Sequence, residues 1–241
     1  MAEPVKAILF DTFGTIVDWR GSIARAGEAL GREKKLEGID WDAFARAWRA
    51  GYVPGMARVL SGERPWTPLD VIHRERLDAI LGDFGLESAF SEAERADFNL
   101  AWHRLDPWPD SVPGLTRIKQ DYLISPLSNG SLVLLSGMAK RAGIPWDFIL
   151  SSSTFNAYKP TDAVYRGAIE ILDLQPHQVM MVAAHNDDLA AARTHGMRTA
   201  YINRPYEYGA DQVADFEATQ DWDVITDTIT GLADALDQKR I

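Results

Sequence analysis

The sequence predicts an α/β protein in which a doubly wound parallel sheet carries a helical insertion after its first strand. Three short apolar runs, each ending in a polar turn, supply the central strands. Helical patterns lie between the later runs, as alternating strands and helices require for a parallel sheet covered on both faces. One long stretch, from about Trp19 to Trp108, is helical in pattern and almost free of strand signal.

The first run is Val5-Lys6-Ala7-Ile8-Leu9-Phe10, followed by Asp11-Thr12-Phe13-Gly14-Thr15. It reads as a buried strand that ends in a glycine-containing turn. The insertion comes next. Trp41, Phe44, Ala45, Trp48 and Tyr52 recur at helical spacing behind Asp40, an N-cap candidate. Leu69 to Phe84 and Ser91 to His103 are also amphipathic, and Pro107-Trp108-Pro109 marks the return to the sheet. Tyr122 to Leu127 forms the second run, weakened locally by Pro126, because proline cannot donate to a ladder. Val179 to Ala184 forms the third. Weaker strands are expected at Phe148 to Ser151 and Thr199 to Ile202, with helices over Ala163 to Leu172 and Leu189 to His195.

Composition narrows the function. Hydrophobic residues make up 46% and charged residues 25% of 241 residues, so a buried core is expected and extended disorder is not. No apolar run reaches the roughly 20 residues that span a bilayer. The N-terminal segment has no signal-peptide pattern, and a cytoplasmic protein is expected. There is no cysteine, which removes disulfides, thiolate metal sites and a cysteine nucleophile. The net charge of −10 disfavours nucleic acid and anionic membranes as partners, since both need a basic footprint. A small anionic substrate stays open, provided local cations hold it.

In a parallel α/β sheet, ligands bind beyond the carboxyl ends of the strands. Asp11 follows the first run, Ser128 and Asn129 the second, and His185 and Asp188 the third; Lys159 follows the weaker strand at 148–151. Four groups distant in sequence are therefore expected in one crevice. Asp188 also suits an N-cap for the helix that starts at Leu189. Most of the eight tryptophans read as packing, with Trp19 and Trp48 as candidate pocket walls.

Phe10-Asp11-Thr12-Phe13-Gly14-Thr15, Leu127-Ser128-Asn129-Gly130, Tyr158-Lys159-Pro160 and Val182 to Asp188 appear in order over most of the chain. Together they resemble the four motifs of the haloacid dehalogenase superfamily. The resemblance implies a Rossmann-like catalytic core over residues 1–16 and 109–241, with a helical cap domain over 17–108. Phosphatases of that superfamily carry a general-acid Asp two residues after the nucleophile, where this chain has Phe13, and acidic magnesium ligands in the fourth motif, whose first polar position here is Ala183. Both departures resemble the 2-haloacid dehalogenase branch, which uses no metal or other cofactor.

That resemblance implies hydrolysis of short 2-haloacids through an ester on Asp11. Lys159 would hold the Asp11 carboxylate, and Asp188 would position or deprotonate water. Thr15 and Ser128 would donate hydrogen bonds, and Thr12 and Phe13 would meet the substrate carboxylate with backbone N–H groups. Arg49, in the pair Trp48-Arg49, and Asn129 would receive the halide. Tyr165 matches a polar position of the family. The better-known members have Ser and Asn where this chain has Ala183 and His185, and an aromatic residue in place of Asp187. His185 is expected either to orient water or to carry a proton. A homodimer is implied as well. The alternatives are a phosphatase-type member of the superfamily and a related hydrolase with a non-halogenated substrate.

Overall fold

The computed structural model describes residues 4–210 and 212–239. Its strands are β1 (Ala7–Phe10), β2 (Val17–Asp18), β3 (Asp106–Pro107), β4 (Leu123–Ser128), β5 (Leu150–Ser151), β6 (Val179–Ala183), β7 (Arg198–Ile202) and β8 (Val224–Thr226). Six of them form one sheet in the order β5-β4-β1-β6-β7-β8, and every neighbouring pair runs parallel. The chain first builds outward from β1 through β4 to β5, then returns to the other side of β1 with β6. This reversal opens a crevice beyond the carboxyl ends of β1, β4 and β6.

Side chains alternate across the sheet, and both faces are buried. Ile8 and Phe10 of β1 join one apolar cluster with Met180 and Val182 of β6; Leu9 joins a second with Val179, Met181 and Ala183. This two-sided burial explains why the strands read as continuous apolar runs rather than as alternating patterns. The first face is covered by α6 (Ser111–Ile118), α7 (Leu132–Ala142) and α11 (Ile229–Lys239), and the second by α9 (Asp162–Leu172) and α10 (Asn186–Thr194). A four-residue turn of helix, α8 (Ser152–Phe155), follows β5.

Pro126 is paired within β4, opposite Phe10. The period of two explains its tolerance. The Leu123 N–H donates to Lys6 on the β1 side, and the Ile124 N–H donates to Asp147 on the other. Position 126 therefore faces the β5 side, where the ladder starts only at Leu127. The strand expected at 148–151 shortens to two residues, and β2, β3 and β8 add short strands that the sequence reading did not contain.

Between β1 and β4 the chain forms α1 (Trp19–Lys34), α2 (Trp41–Arg49), α3 (Tyr52–Leu60), α4 (Leu69–Asp83) and α5 (Glu92–Asn99). The antiparallel pair β2–β3 joins Val17 to Pro107 and Asp18 to Asp106, where this helical segment leaves and re-enters the core. Asp40 caps α2 by accepting from the Ala43 N–H at 2.9 Å, and Trp41, Phe44, Ala45 and Trp48 are buried along one stripe. Ser91 and Glu94 form a capping box on α5, whose expected extension to His103 continues as a 3₁₀ turn from Leu100. No described helix is long and apolar enough to cross a membrane.

Candidate active site

β1 stops at Phe10, and Asp11 is tied to β6 by its N–H on Val182 O at 2.9 Å. The chain then folds back tightly, with the Ile16 and Val17 N–H groups both donating to Thr12 O. Gly14 sits in this turn at φ +87°, a conformation glycine adopts without penalty. The Trp108 indole N–H donates to Gly14 O at 2.7 Å, and the Arg204 Nε–H donates to Thr15 O at 3.1 Å. The turn is thus pinned from two other parts of the chain.

The buried Asp11 carboxylate has a partner on each oxygen. Lys159 Nζ donates to Oδ1 at 3.0 Å. The Thr15 hydroxyl donates to Oδ2 at 3.1 Å, while accepting the Ala184 N–H at 2.9 Å, an arrangement that aims its own proton at Asp11. His185 Nδ1 lies 3.2 Å from the same Oδ2. Lys159 also bonds Asp188, whose other oxygen accepts from the Tyr165 hydroxyl at 2.6 Å. Both Asp188 oxygens are therefore occupied. Asp188 is not the N-cap of its helix: α10 starts at Asn186 and His185 takes the cap position, so Asp188 lies in the first turn. The Lys159 N–H donates to Asn129 Oδ1 at 2.7 Å, which fixes the amide orientation and leaves its NH₂ for the crevice.

These contacts set the charges. Burial alone would raise Asp11, but the Lys159 ammonium and the His185 hydrogen bond hold its carboxyl well below 3.8. Asp11 is ionised throughout the neutral range. Burial, with the Asp11 charge behind it, pushes the Asp188 carboxyl up despite Lys159. Lys159 is raised by both carboxylates against the effect of burial and stays an ammonium. Burial would lower His185, but the Glu207 charge and hydrogen bonds to Asp11 and Glu207 move it well above 6.5.

Asp11 opens into a cavity of about 290 Å³, small enough for a ligand of a few heavy atoms. Asn129, Lys159, Tyr165, His185 and Asp188 line it from the sheet side; Arg49 and Tyr52 line it from the helical segment, and Phe13 from the turn after β1. The Arg49 guanidinium carbon lies 3.8 Å from the Tyr52 ring centroid and 5.9 Å from that of Phe13. Its Nη1 is buried and has no hydrogen-bond partner among the described residues. A buried guanidinium N–H without an acceptor is costly unless a ligand supplies one.

The expected residues divide by depth. Asp11, Phe13, Arg49, Asn129, Lys159, Tyr165, His185 and Asp188 share the cavity. Thr15 stands behind it on Asp11. Ser128 is buried and accepts the Gly130 N–H at 3.3 Å, and Thr12 is buried with an unpartnered hydroxyl. Trp48 and Trp19 are not cavity walls. Both are fully buried, with their indole N–H groups committed to His73 O and to Glu207 Oε1. Asp187 lines the cavity but is solvent-exposed, accepting the Asp188 N–H at the rim. Tyr208 and Glu207 were not singled out from the sequence, and Tyr52 was read only as part of the helical apolar stripe. Glu207 is 1% exposed, and its Oε2 lies 2.9 Å from His185 Nε2. It occupies the loop after β7, at the same sheet end as the other polar groups, and that position was the one available signal.

A family model described as haloacid dehalogenase-like hydrolase matches residues 5–196. A crystal structure of a defluorinating L-2-haloacid dehalogenase is 48% identical, covers 97% of this chain and 95% of its own, and superposes with a TM-score of 0.94. A second L-2-haloacid dehalogenase structure is 46% identical, covers 97% and 99%, and has a TM-score of 0.92. The (S)-2-haloacid dehalogenase 1 of Pseudomonas sp. (strain CBS-3) is 28% identical over 217 residues, covering 86% of this chain and 89% of the relative.

Proposed function

The chain belongs to the haloacid dehalogenase-like hydrolase family, and from that premise we propose that its site hydrolyses short 2-haloacids to 2-hydroxyacids and halide through an ester on Asp11. One observation carries the reading: an ionised, buried Asp11 carboxylate shares a small cavity with a buried Arg49 whose Nη1 has no partner. A nucleophile and a cationic hydrogen-bond donor facing it are what a displacement of halide needs.

Asp11 attacks the halogen-bearing carbon; the carbon–halogen bond breaks and the halide leaves with its electron pair toward Arg49 and the Asn129 NH₂. Water then cleaves the ester at the Asp11 carboxyl carbon. One hard displacement becomes two easier steps. The configuration at the substrate carbon inverts once, so an (S)-2-haloacid gives an (R)-2-hydroxyacid. Lys159 steadies Asp11, with Asp188 and Tyr165 behind it. Thr15 donates to Asp11. Ser128 shapes the turn that presents Asn129, and the Thr12–Phe13 backbone faces the substrate carboxylate. Residues 17–108 act as a cap over a core of residues 1–16 and 109–241, because Arg49 and Tyr52 enter the same cavity as Asp11. Phe13 cannot protonate a leaving oxygen, which favours a halide over a phosphate ester; a halide leaves without a proton. The same reading makes the protein a cytoplasmic homodimer.

Halide release from chloro-, bromo- and fluoroacetate and from both 2-chloropropionate enantiomers tests the assignment. The likeness to a defluorinating relative puts fluoroacetate in that panel. In a single turnover in H₂¹⁸O, the label is expected on Asp11. Label found mainly in the product, or no halide from any substrate, overturns the ester mechanism.

A further inference from the structure

His185 bridges two carboxylates. Its Nδ1 is 3.2 Å from Asp11 Oδ2 and its Nε2 is 2.9 Å from Glu207 Oε2. A carboxylate only accepts hydrogen bonds, so a ring held between two of them carries a proton on each nitrogen. Glu207 is fixed in turn. Trp19 Nε1 donates to its other oxygen at 2.8 Å, and its carboxylate packs where a side chain on Gly14 would stand, 2.2 Å from the position of a Cβ. This carboxylate is thus built into the turn that follows the nucleophile, yet it touches neither Asp11 nor, by any direct bond, the substrate space.

We propose that Glu207 is a positioning residue for the second half of the reaction, fixing His185 so that its Nδ1 becomes the base for water once Asp11 is an ester. The inference rests on the ester reading above. In the resting enzyme Nδ1–H donates to the Asp11 carboxylate. Formation of the ester removes that negative charge, and the Nδ1 proton passes to solvent. Glu207 keeps the remaining proton on Nε2 and the lone pair of Nδ1 toward the Asp11 carboxyl carbon. The logic is that of a carboxylate orienting an imidazole in acyl transfer.

The protons balance. Water adds to the Asp11 carboxyl carbon and gives one proton to Nδ1. The bond from that carbon to the substrate oxygen breaks, and the oxygen leaves with the electron pair and takes the proton from Nδ1. Asp11 is then a carboxylic acid, and its proton returns to Nδ1. The proton lost to solvent on ester formation is the single net proton of the turnover.

The surrounding charges agree with a switch at His185. Tyr201 of β7 and Tyr208 of the next loop feel the charge of the ring, and both phenols are raised, chiefly by burial, so they stay neutral. Lys159 and Arg49 are the cations of the cavity, and Asp187, Asp188 and Asp215 complete its charged lining. Asp188 has both oxygens committed to Lys159 and Tyr165, whereas His185 faces the Asp11 oxygen itself. Burial lowers the ring's proton affinity, and the Glu207 charge with the hydrogen bonds to Asp11 and Glu207 raises it, so ester formation on Asp11 removes part of what holds the second proton.

Rapid-quench kinetics of Glu207→Gln with bromoacetate tests this. The substitution keeps the shape of the side chain and removes its charge. Halide is expected to appear in a burst near one per active site, with ester hydrolysis slowed about 10²-fold and the ester found on the Asp11 peptide by mass. The acid limb of the hydrolysis step moves to lower pH, because loss of the Glu207 charge lowers His185. Trp19→Phe, which frees Glu207 without neutralising it, gives the same accumulation with a smaller slowing, and serves if the first variant does not fold. Hydrolysis at the parent rate with an unshifted limb overturns the proposal. So does a parallel fall of both steps without ester, which marks a structural role only. A parent enzyme that releases no halide removes the ester reading itself, and this one with it.

Discussion

Gly14 and Glu207 interlock: a Cβ at position 14 would fall 2.2 Å from the Glu207 carboxylate carbon, in a backbone at φ +87°. The turn that follows Asp11 therefore leaves room for a group 193 positions further along only while residue 14 lacks a side chain.

Gly14→Ala is expected to destabilise the protein by about 1–2 kcal/mol from the left-handed backbone alone. It also displaces Glu207 from His185, so turnover falls more than substrate affinity does. Chemical denaturation with kcat and KM on the same preparation checks both. Unchanged stability and kcat would contradict the packing described here.

Lys159 is the cation between two buried carboxylates. Lys159→Met strands both, and truncating one partner of a buried ion cluster costs about 3–5 kcal/mol. Without the ammonium the Asp11 pKa rises, so the acid limb of ester formation moves to higher pH. This direction is opposite to that for Glu207→Gln, whose shift is in the hydrolysis step, and single-turnover pH–rate profiles of halide release and of ester hydrolysis, followed separately, distinguish the two.

Arg49 lies 3.8 Å over the Tyr52 ring with an unpartnered buried Nη1. Arg49→Lys keeps the charge but loses the planar fork and the stacking. Halide release is expected to fall roughly 10–100-fold, about 1.4–2.7 kcal/mol of transition-state stabilisation, with weaker product inhibition by bromide. Parent-like activity would show that the guanidinium does not receive the halide.

His73 is buried against Trp102 with ring centroids 4.2 Å apart, and neither of its ring nitrogens has a hydrogen-bond partner among the described residues. Burial pushes it down to about 3. Its unfolded-state value is near 6.5, so between these limits the unfolded chain binds the extra proton. Stability contributed by the neutral ring is therefore full above pH 6.5 and is lost as pH falls toward 3, at roughly 1.4 kcal/mol per pH unit. His73→Phe keeps the aromatic packing and is expected to flatten the acid side of the stability–pH curve in urea titrations. Parallel curves for variant and parent would remove His73 as a source of acid lability.

Much of this site is readable without coordinates because the fold places strand ends together. Asp11, Asn129, Lys159, His185 and Asp188 each follow a strand or a strand-like run, and a parallel sheet brings such ends into one crevice. Arg49 was legible only through the resemblance, as the arginine of the pair Trp48-Arg49 within the Trp41–Tyr52 segment. Pro126 and the short strands were less so. Whether a proline fits depends on which neighbour its missing N–H faces, and two- or three-residue strands such as β5 and β8 carry too few side chains to show a period.

The sequence by itself determined the class of the fold and the order of its longer strands, and it put Asp11 and Lys159 among the polar groups expected at one sheet end, because these follow from apolar periodicity and from residue types after strands. The tertiary structure decided the rest. It turned Asp188 away from the helix cap and onto Lys159 and Tyr165. It placed Trp19, 188 residues from Glu207, as that carboxylate's donor, and it set His185 between Asp11 and Glu207. Contacts of this kind depend on how loops pack over the sheet end, and no local propensity encodes a partner so remote along the chain.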